Sequence, residues 1–329
     1  MGWQVPVARP DLGEAEAEAV AAVVRSGWIS QGPRVRDLED AFRRLTGTPY
    51  AVATCNGTAA LHTVLLAMGL GRGDQVITSP LSCIASVNPI LFQGAEPVFV
   101  DIEPDTYNLD PVQVARHITA RTRLILPVHL FGHPADLDPI LETAQRHGVP
   151  VVEDACQAIG ARYRDRPVGS LGLAGYFSMY TNKTVTAGEG GMVVTHDAEL
   201  YRRMQAVRNL GQLPGEHFVH PLLGANYKMT DLQAAIGLVQ MAKLPQAVAR
   251  RRENIAAFNR ALTGLDDVIE RLPGEAPYAT AAPFSYHVLF RTAELKQQAE
   301  GALHAAGVET RPFFSLASAE APYRTLGYD

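Results

Sequence analysis

The chain has 329 residues, a hydrophobic fraction of 47%, a charged fraction of 19% and a formal net charge of −5. That length exceeds one small core and predicts a large domain with a smaller companion, and the acidic balance argues against nucleic acid or an anionic membrane as partner. The three cysteines, Cys55, Cys83 and Cys156, lack metal-ligand spacing, and no apolar leader or membrane-spanning run is visible, so a reduced, cytoplasmic setting is expected.

In chain order, DLGEAEAEAVAAVVRSG (11–27) predicts a helix opened by Asp11 and closed by Gly27. Short apolar runs follow at 51–54, 75–80, 96–101, 123–130, 149–155, 175–180 and 191–195, rich in Val, Ile, Leu and Phe. Between the early ones lie helical patterns at 58–70, 86–93, 111–118 and 136–148. This alternation predicts an α/β fold, a mainly parallel sheet with helices on both faces. Ligands in such sheets gather at the carboxyl ends of the strands. Downstream, residues 231–244 predict a helix that Pro245 ends or kinks, and a second helix follows over 246–262. A smaller α+β segment completes the chain, with strands at 284–290 and 308–314 around a helix at 293–307. The domain boundary is therefore placed near 245, giving a large domain over 1–245 and a small one over 246–329.

Four segments put polar residues at strand ends. In TCNGTAAL (54–61) a strand stops, Asn56-Gly57-Thr58 turns and a helix begins. Open N–H groups at a helix N-terminus suit a phosphate, although Asn56 or Thr58 as a plain cap accounts for the same residues. In VVEDACQAIG (151–160) Asp154 follows an apolar strand, and a buried carboxylate needs a cation or several donors. A protonated heterocyclic nitrogen is one such partner; backbone amides or an arginine are others. In YFSMYTNKTVTAGEGGMVV (176–194) sits Lys183, one of only four lysines. Packed among small and aromatic residues it tends to lose its proton and can then form a Schiff base with an aldehyde, whereas in a surface hairpin it would point into water. Gly188, Gly190 and Gly191 beside it permit positive φ and close backbone approach. The fourth segment, HPLLGANYKMTDLQAAIG (220–237), offers a helix cap at Thr230 or Asp231. An anion cradle, a buried acid and a lysine on successive strand ends together match what pyridoxal phosphate requires: a held phosphate, a protonated ring nitrogen and an amine for the aldehyde.

With these motifs in place, the chain resembles the DegT/DnrJ/EryC1/StrS sugar aminotransferases. The likeness is carried by GWISQGP (27–33), NGTAALH (56–62), GRGDQVITSP (71–80), GAEPVFVDIEPDTYNLDP (94–111), PVHLFGHPADLDPI (127–140), VVEDACQAIGA (151–161), FSMYTNKTVTAGEGGMVVT (177–195) and NYKMTDLQAAIG (226–237). The resemblance implies the type I fold of pyridoxal-phosphate-dependent transferases. It implies that Lys183 is the Schiff-base lysine and later the proton shuttle, that Asp154 pairs with the pyridinium nitrogen, and that Gln157 contacts the ring hydroxyl. Gly57, Thr58 and Ser178 would hold the phosphate. Asn226 would reach the phosphate of a neighbouring subunit, which implies a homodimer with shared active sites. The cofactor would be pyridoxal 5'-phosphate with pyridoxamine 5'-phosphate as intermediate, the amino donor L-glutamate and the acceptor a nucleotide-linked keto sugar. Within the group the chain is most similar to GDP-perosamine synthases, with GDP-mycosamine aminotransferases also close.

The sequence departs from the family pattern in two places. Members carry an aromatic residue that stacks on the cofactor ring where this chain has Cys83, leaving His129 as a residue that would approach the ring instead. Members also continue for several tens of residues past YRTLGYD, which implies an incomplete small domain. Two other activities share the fold, a pyridoxamine-phosphate-dependent sugar dehydratase and a non-catalytic regulator. The first is expected to replace the lysine by histidine and the second to lose the lysine or the acid; Lys183 and Asp154 are both present. His129 and His133 lack a third ligand at useful spacing, so no metal is expected.

Overall fold

The structure, a computed structural model, describes residues 2–213, 215 and 218–328. Seven strands form the central sheet: β1 (Tyr50–Thr54), β2 (Gln75–Thr78), β3 (Glu96–Phe99), β4 (Thr122–Leu126), β5 (Val152–Asp154), β6 (Ala174–Ser178) and β7 (Gly191–Thr195). Their order is β3-β2-β4-β5-β6-β7-β1, with β4 joined to β5 through the bridges Ile125–Val151 and Val128–Asp154. All are parallel except β7, which runs antiparallel to both β6 and β1. The strands read as continuous apolar runs because both faces are covered, and alternate residues go to opposite sides. Val52, Val152, Tyr176 and Val193 pack with the helices Gly57–Met68 and Ala198–Arg208, while Ala53, Phe177, Met192 and Val194 pack with Pro33–Thr46 and Asp231–Ala261.

All seven expected strands are present, most of them shorter than the apolar runs that announced them. The expected N-terminal helix is Glu14–Ser26, and its opening differs: Gly13 is the N-cap, and Glu16 reaches back to the Gly13 amide at 2.8 Å. Asp11 lies before the helix and offers its carbonyl to Gln240. Pro245 neither ends nor interrupts its helix, which runs as one element from Asp231 to Ala261. The missing N–H costs a helix interior a few kcal/mol. Burial of Leu244 against the sheet-facing core, and packing of this helix on Glu14–Ser26 and Pro33–Thr46, offset that cost.

Three helices were not legible beforehand, Pro33–Thr46, Ala198–Arg208 and the short Ala321–Thr325. The first owes its start to a distant residue. The buried carboxylate of Asp231 accepts the amides of Gly32 (2.8 Å), Arg34 (3.1 Å) and Val35 (3.0 Å), satisfying donors that a helix N-terminus leaves open. Asp231→Ala strands three buried amides and is expected to lower the unfolding free energy by about 2–4 kcal/mol, read as a drop in the urea midpoint with the slope unchanged.

Beyond residue 261 the expected strand at 284–290 reduces to Leu289–Phe290, paired with Ile269–Arg271, and the expected strand at 308–314 to the single bridge Val308–Val5. The reason is competition for backbone partners. Ala282 and Phe284 give their amides to Gly132 and Phe131 of the large sheet's loops. The helix Ala293–Ala305 follows as expected. No helix among the described residues is long and apolar enough to cross a membrane.

Candidate active site

The carboxyl ends of β1, β5 and β6 meet on one edge of the sheet, and each delivers one of the expected groups. After β1, Asn56 caps the helix Gly57–Met68 by accepting the Ala59 amide at 2.9 Å, and its carbonyl takes the Ala60 amide. The amides of Gly57 and Thr58 remain as the helix's open donors, with the helix dipole behind them. Gly57 is required here by space: a Cβ would lie 2.9 Å from Ser178 Cβ and 3.2 Å from Ser178 Oγ. The β6 hydroxyl of Ser178 is thereby pressed against the helix start. Gly191 faces the same turn, where a Cβ would fall 2.2 Å from the Asn56 carbonyl oxygen. Of the three glycines after Lys183 only Gly188 has positive φ, at 79°; Gly190 and Gly191 serve close approach instead.

Asp154 ends β5 and is 2% exposed. Its Oδ2 accepts from Tyr176 Oη at 2.5 Å and Ser86 Oγ at 2.7 Å, and its Oδ1 from the Cys156 amide at 3.0 Å. Among the described residues no cationic side chain pairs with it. The neighbouring Glu153 points the other way and is fully buried, held by the amides of Gly169, Leu171 and Gly172 and by His129 Nε2 at 3.1 Å. His129 Nδ1 accepts the Ala135 amide, so both ring nitrogens are engaged. This corrects the expectation that His129 approaches the cofactor ring: it is a buried structural histidine on the Glu153 side.

Lys183 lies in the loop between β6 and β7, partly buried, with Nζ 4.3 Å from the centre of the Phe284 ring. Burial, then the Asp154 charge, pushes the Cys156 thiol well up, and Lys183 pulls it partly back. Cys83 lies within the same electrostatic reach, on the loop after β2. Gln157 follows Cys156, and its Oε1 accepts the amide of Phe131 at 2.9 Å, which leaves the Gln157 NH2 group as its donor. Phe131 holds a left-handed φ of 58° to present that amide. Gly57, Ser178, Cys156, Asp154, Lys183 and Cys83 are thus brought into one neighbourhood. Asn226 is not: it is exposed, bridged to Asn209, and makes no hydrogen bond to these groups within the described chain.

Ser86, Tyr176, Phe131 and Phe284 were not identified from the sequence. Tyr176 had a signal, since it lies two residues before Ser178 on one strand. Which acid it meets depends on the register that pairs it with Asp154.

The donor set fits pyridoxal phosphate: an anion cradle that a Cβ at 57 would fill, a buried carboxylate without a protein cation, and a lysine beside both. The comparisons with known proteins agree. A GDP-perosamine synthase of Caulobacter vibrioides is 39% identical over 99% of this chain and 88% of its own length. The crystal structure of DesV from S. venezuelae, in complex with a ketimine intermediate, superposes with a TM-score of 0.89. It is 36% identical and covers 94% of this chain and 82% of that one. The PLP form of a sugar aminotransferase from Streptococcus pneumoniae gives a TM-score of 0.92 at 28% identity, covering 99% and 88%. The fold is that of the pyridoxal-phosphate-dependent sugar aminotransferases. With the family profile matching residues 10–329, the chain belongs to the DegT/DnrJ/EryC1/StrS aminotransferase family.

Proposed function

We propose that this enzyme transfers an amino group from L-glutamate to a nucleotide-linked keto sugar of the GDP-4-keto-6-deoxymannose type, giving a perosamine-type product. The observation that carries the reading is the convergence of Lys183, the unpaired buried Asp154 and the Gly57–Ser178 cradle at one sheet edge. The likeness to a GDP-perosamine synthase over nearly the whole chain supports the sugar class.

When bound, pyridoxal phosphate supplies an aldehyde to carry nitrogen and a ring that withdraws electrons from the reacting carbon. In this reading the amides of Gly57 and Thr58 and the Ser178 hydroxyl bind its phosphate. Asp154 holds a proton on the ring nitrogen, and the Gln157 NH2 group donates to the ring hydroxyl. Cys83 would face the ring and could give contact without stacking. Lys183 would be the residue that holds the cofactor covalently, and its Nζ, once free, would be the group that takes up and returns the proton moved in each half-reaction.

The proposal extends to the assembly. Asn226, exposed and without a hydrogen bond to its own chain's cradle among the described residues, would complete the phosphate site of a second copy in a homodimer. The large domain is taken as 1–245 and the small one as 246–329, with the helix Asp231–Ala261 spanning the join. A cytoplasmic location follows from the nucleotide-sugar substrate class and the free cysteines.

A panel of GDP-, UDP- and dTDP-linked keto sugars, assayed with glutamate, tests the reading. Nitrogen should appear in the product with the GDP sugar preferred. Loss of a hydroxyl without gain of nitrogen would overturn the transaminase reading, and preference for a dTDP sugar would overturn the nucleotide.

A further inference from the structure

Asp154 is a buried acid whose described hydrogen-bond partners are all neutral. Two of these are hydroxyls on the same oxygen: Tyr176 Oη at 2.5 Å and Ser86 Oγ at 2.7 Å from Oδ2. Oδ1 receives the Cys156 amide at 3.0 Å, and the Cys156 thiol is also bonded to the carboxylate. An ionised carboxylate buried without a cation persists only when several donors satisfy it. Hydrogen bonds to the charged form also lower its basicity.

The two hydroxyls come to Asp154 from different parts of the chain. Tyr176 is the register partner of Asp154 on β6, so the parallel pairing sets both side chains on one face. Its ring is 1% exposed and packs in the apolar cluster around helix Gly57–Met68, where a phenylalanine would fill the same space. The hydroxyl serves the acid and its second donor, Ser86. Ser86, 4% exposed, comes from the loop after β2 and is 3.0 Å from Ser82 Oγ, so a Ser82-to-Ser86-to-Asp154 chain of donors is in place. With Oδ2 occupied twice, Oδ1 is the oxygen with acceptor capacity to spare.

We propose that Tyr176, assisted by Ser86, is a positioning residue that fixes the Asp154 carboxylate through Oδ2 and turns Oδ1 to the cofactor's ring nitrogen, so that the ring keeps its proton. This rests on the reading of Asp154 as the ring-nitrogen partner. Cys156 and Tyr176 are the titratable groups in contact with the acid among the described residues, and Lys183 and Cys83 lie within electrostatic reach of Cys156. Burial raises the Cys156 thiol and the Tyr176 phenol, both further opposed by the Asp154 charge, so both stay neutral across the working range. Without the tyrosine hydroxyl the carboxylate is free to turn away from the ring nitrogen, whose proton it then holds less well. The ring then withdraws fewer electrons from the lysine linkage, which becomes easier to protonate.

The test uses cofactor-loaded enzyme without substrates and follows the visible absorption band against pH in the parent, Tyr176→Phe, Ser86→Ala and Asp154→Asn. Tyr176→Phe should raise the pH midpoint of the band by about half a unit or more. It should also weaken pyridoxal phosphate binding to the apoprotein by roughly 10-fold and lower kcat by a similar factor, with KM for the sugar unchanged. Ser86→Ala, which leaves the aromatic core intact, should move the band in the same direction. If Tyr176→Phe and Ser86→Ala alter only the urea midpoint of the apoprotein while Asp154→Asn moves the band, the hydroxyls are structural and the inference falls alone. If Asp154→Asn also leaves the band in place, the assignment of Asp154 to the ring nitrogen falls with it.

Discussion

Lys183→Ala is expected to lower transamination by on the order of 10,000-fold, because one side chain supplies both the covalent link and the mobile proton. The fold should survive, since Lys183 is partly exposed and its contact with the structure is the Phe284 ring 4.3 Å away. The variant should still bind pyridoxal phosphate through the Gly57, Thr58 and Ser178 cradle, but lose it on dialysis and show no visible band at rest. Small primary amines added to the assay should restore a fraction of the rate by replacing the missing base. A resting visible band that persists in Lys183→Ala, or turnover within about tenfold of the parent, would sink the catalytic assignment.

Asp154→Asn should reduce kcat by about 1,000-fold while leaving the donor and acceptor KM values within a few-fold, since the acid acts on the ring and not on the substrates. The substitution keeps size and removes the charge that holds the ring nitrogen's proton. It also sets an NH2 group against some of the three donors now served by the carboxylate: Tyr176, Ser86 and the Cys156 amide. A loss of stability of about 1–2 kcal/mol is therefore expected beside the kinetic effect. Measuring the urea midpoint and kcat on the same preparation separates the two, and near-normal kcat in folded Asp154→Asn would refute the role.

The candidate site groups were legible because each sits within a few residues of a strand end that apolar patterning marks. Lys183, Asp154 and the Gly57 turn are read from windows of ten to twenty residues. The fold's central alternation is legible for the same reason, and so is the helix Asp231–Ala261 at its start, where Thr230 and Gln233 cap locally. Where the determinant is distant, reading along the chain failed. The helix Pro33–Thr46 has no polar side chain of its own at its cap, since Asp231, 199 residues from Gly32, supplies the acceptor. Pro245 signals a break, and tertiary packing around Leu244 overrides it. His129 looked free to face the cofactor, yet Glu153, buried on the opposite side of β5 from Asp154, had already engaged it.

Local periodicity was enough for the fold class and the strand-end chemistry of Lys183, Asp154 and the Gly57 turn for the cofactor, while the reaction type and the role of Ser178 came with the family resemblance. Those properties depend on residue type and order along short windows. The tertiary structure alone decided what surrounds the acid: Tyr176 beside it by strand register, Ser86 from 68 residues upstream and Cys156 beneath it. Register and crossover are settled by packing between segments far apart in the chain. A buried carboxylate therefore announces that it needs donors, and only the assembled sheet determines which ones it receives.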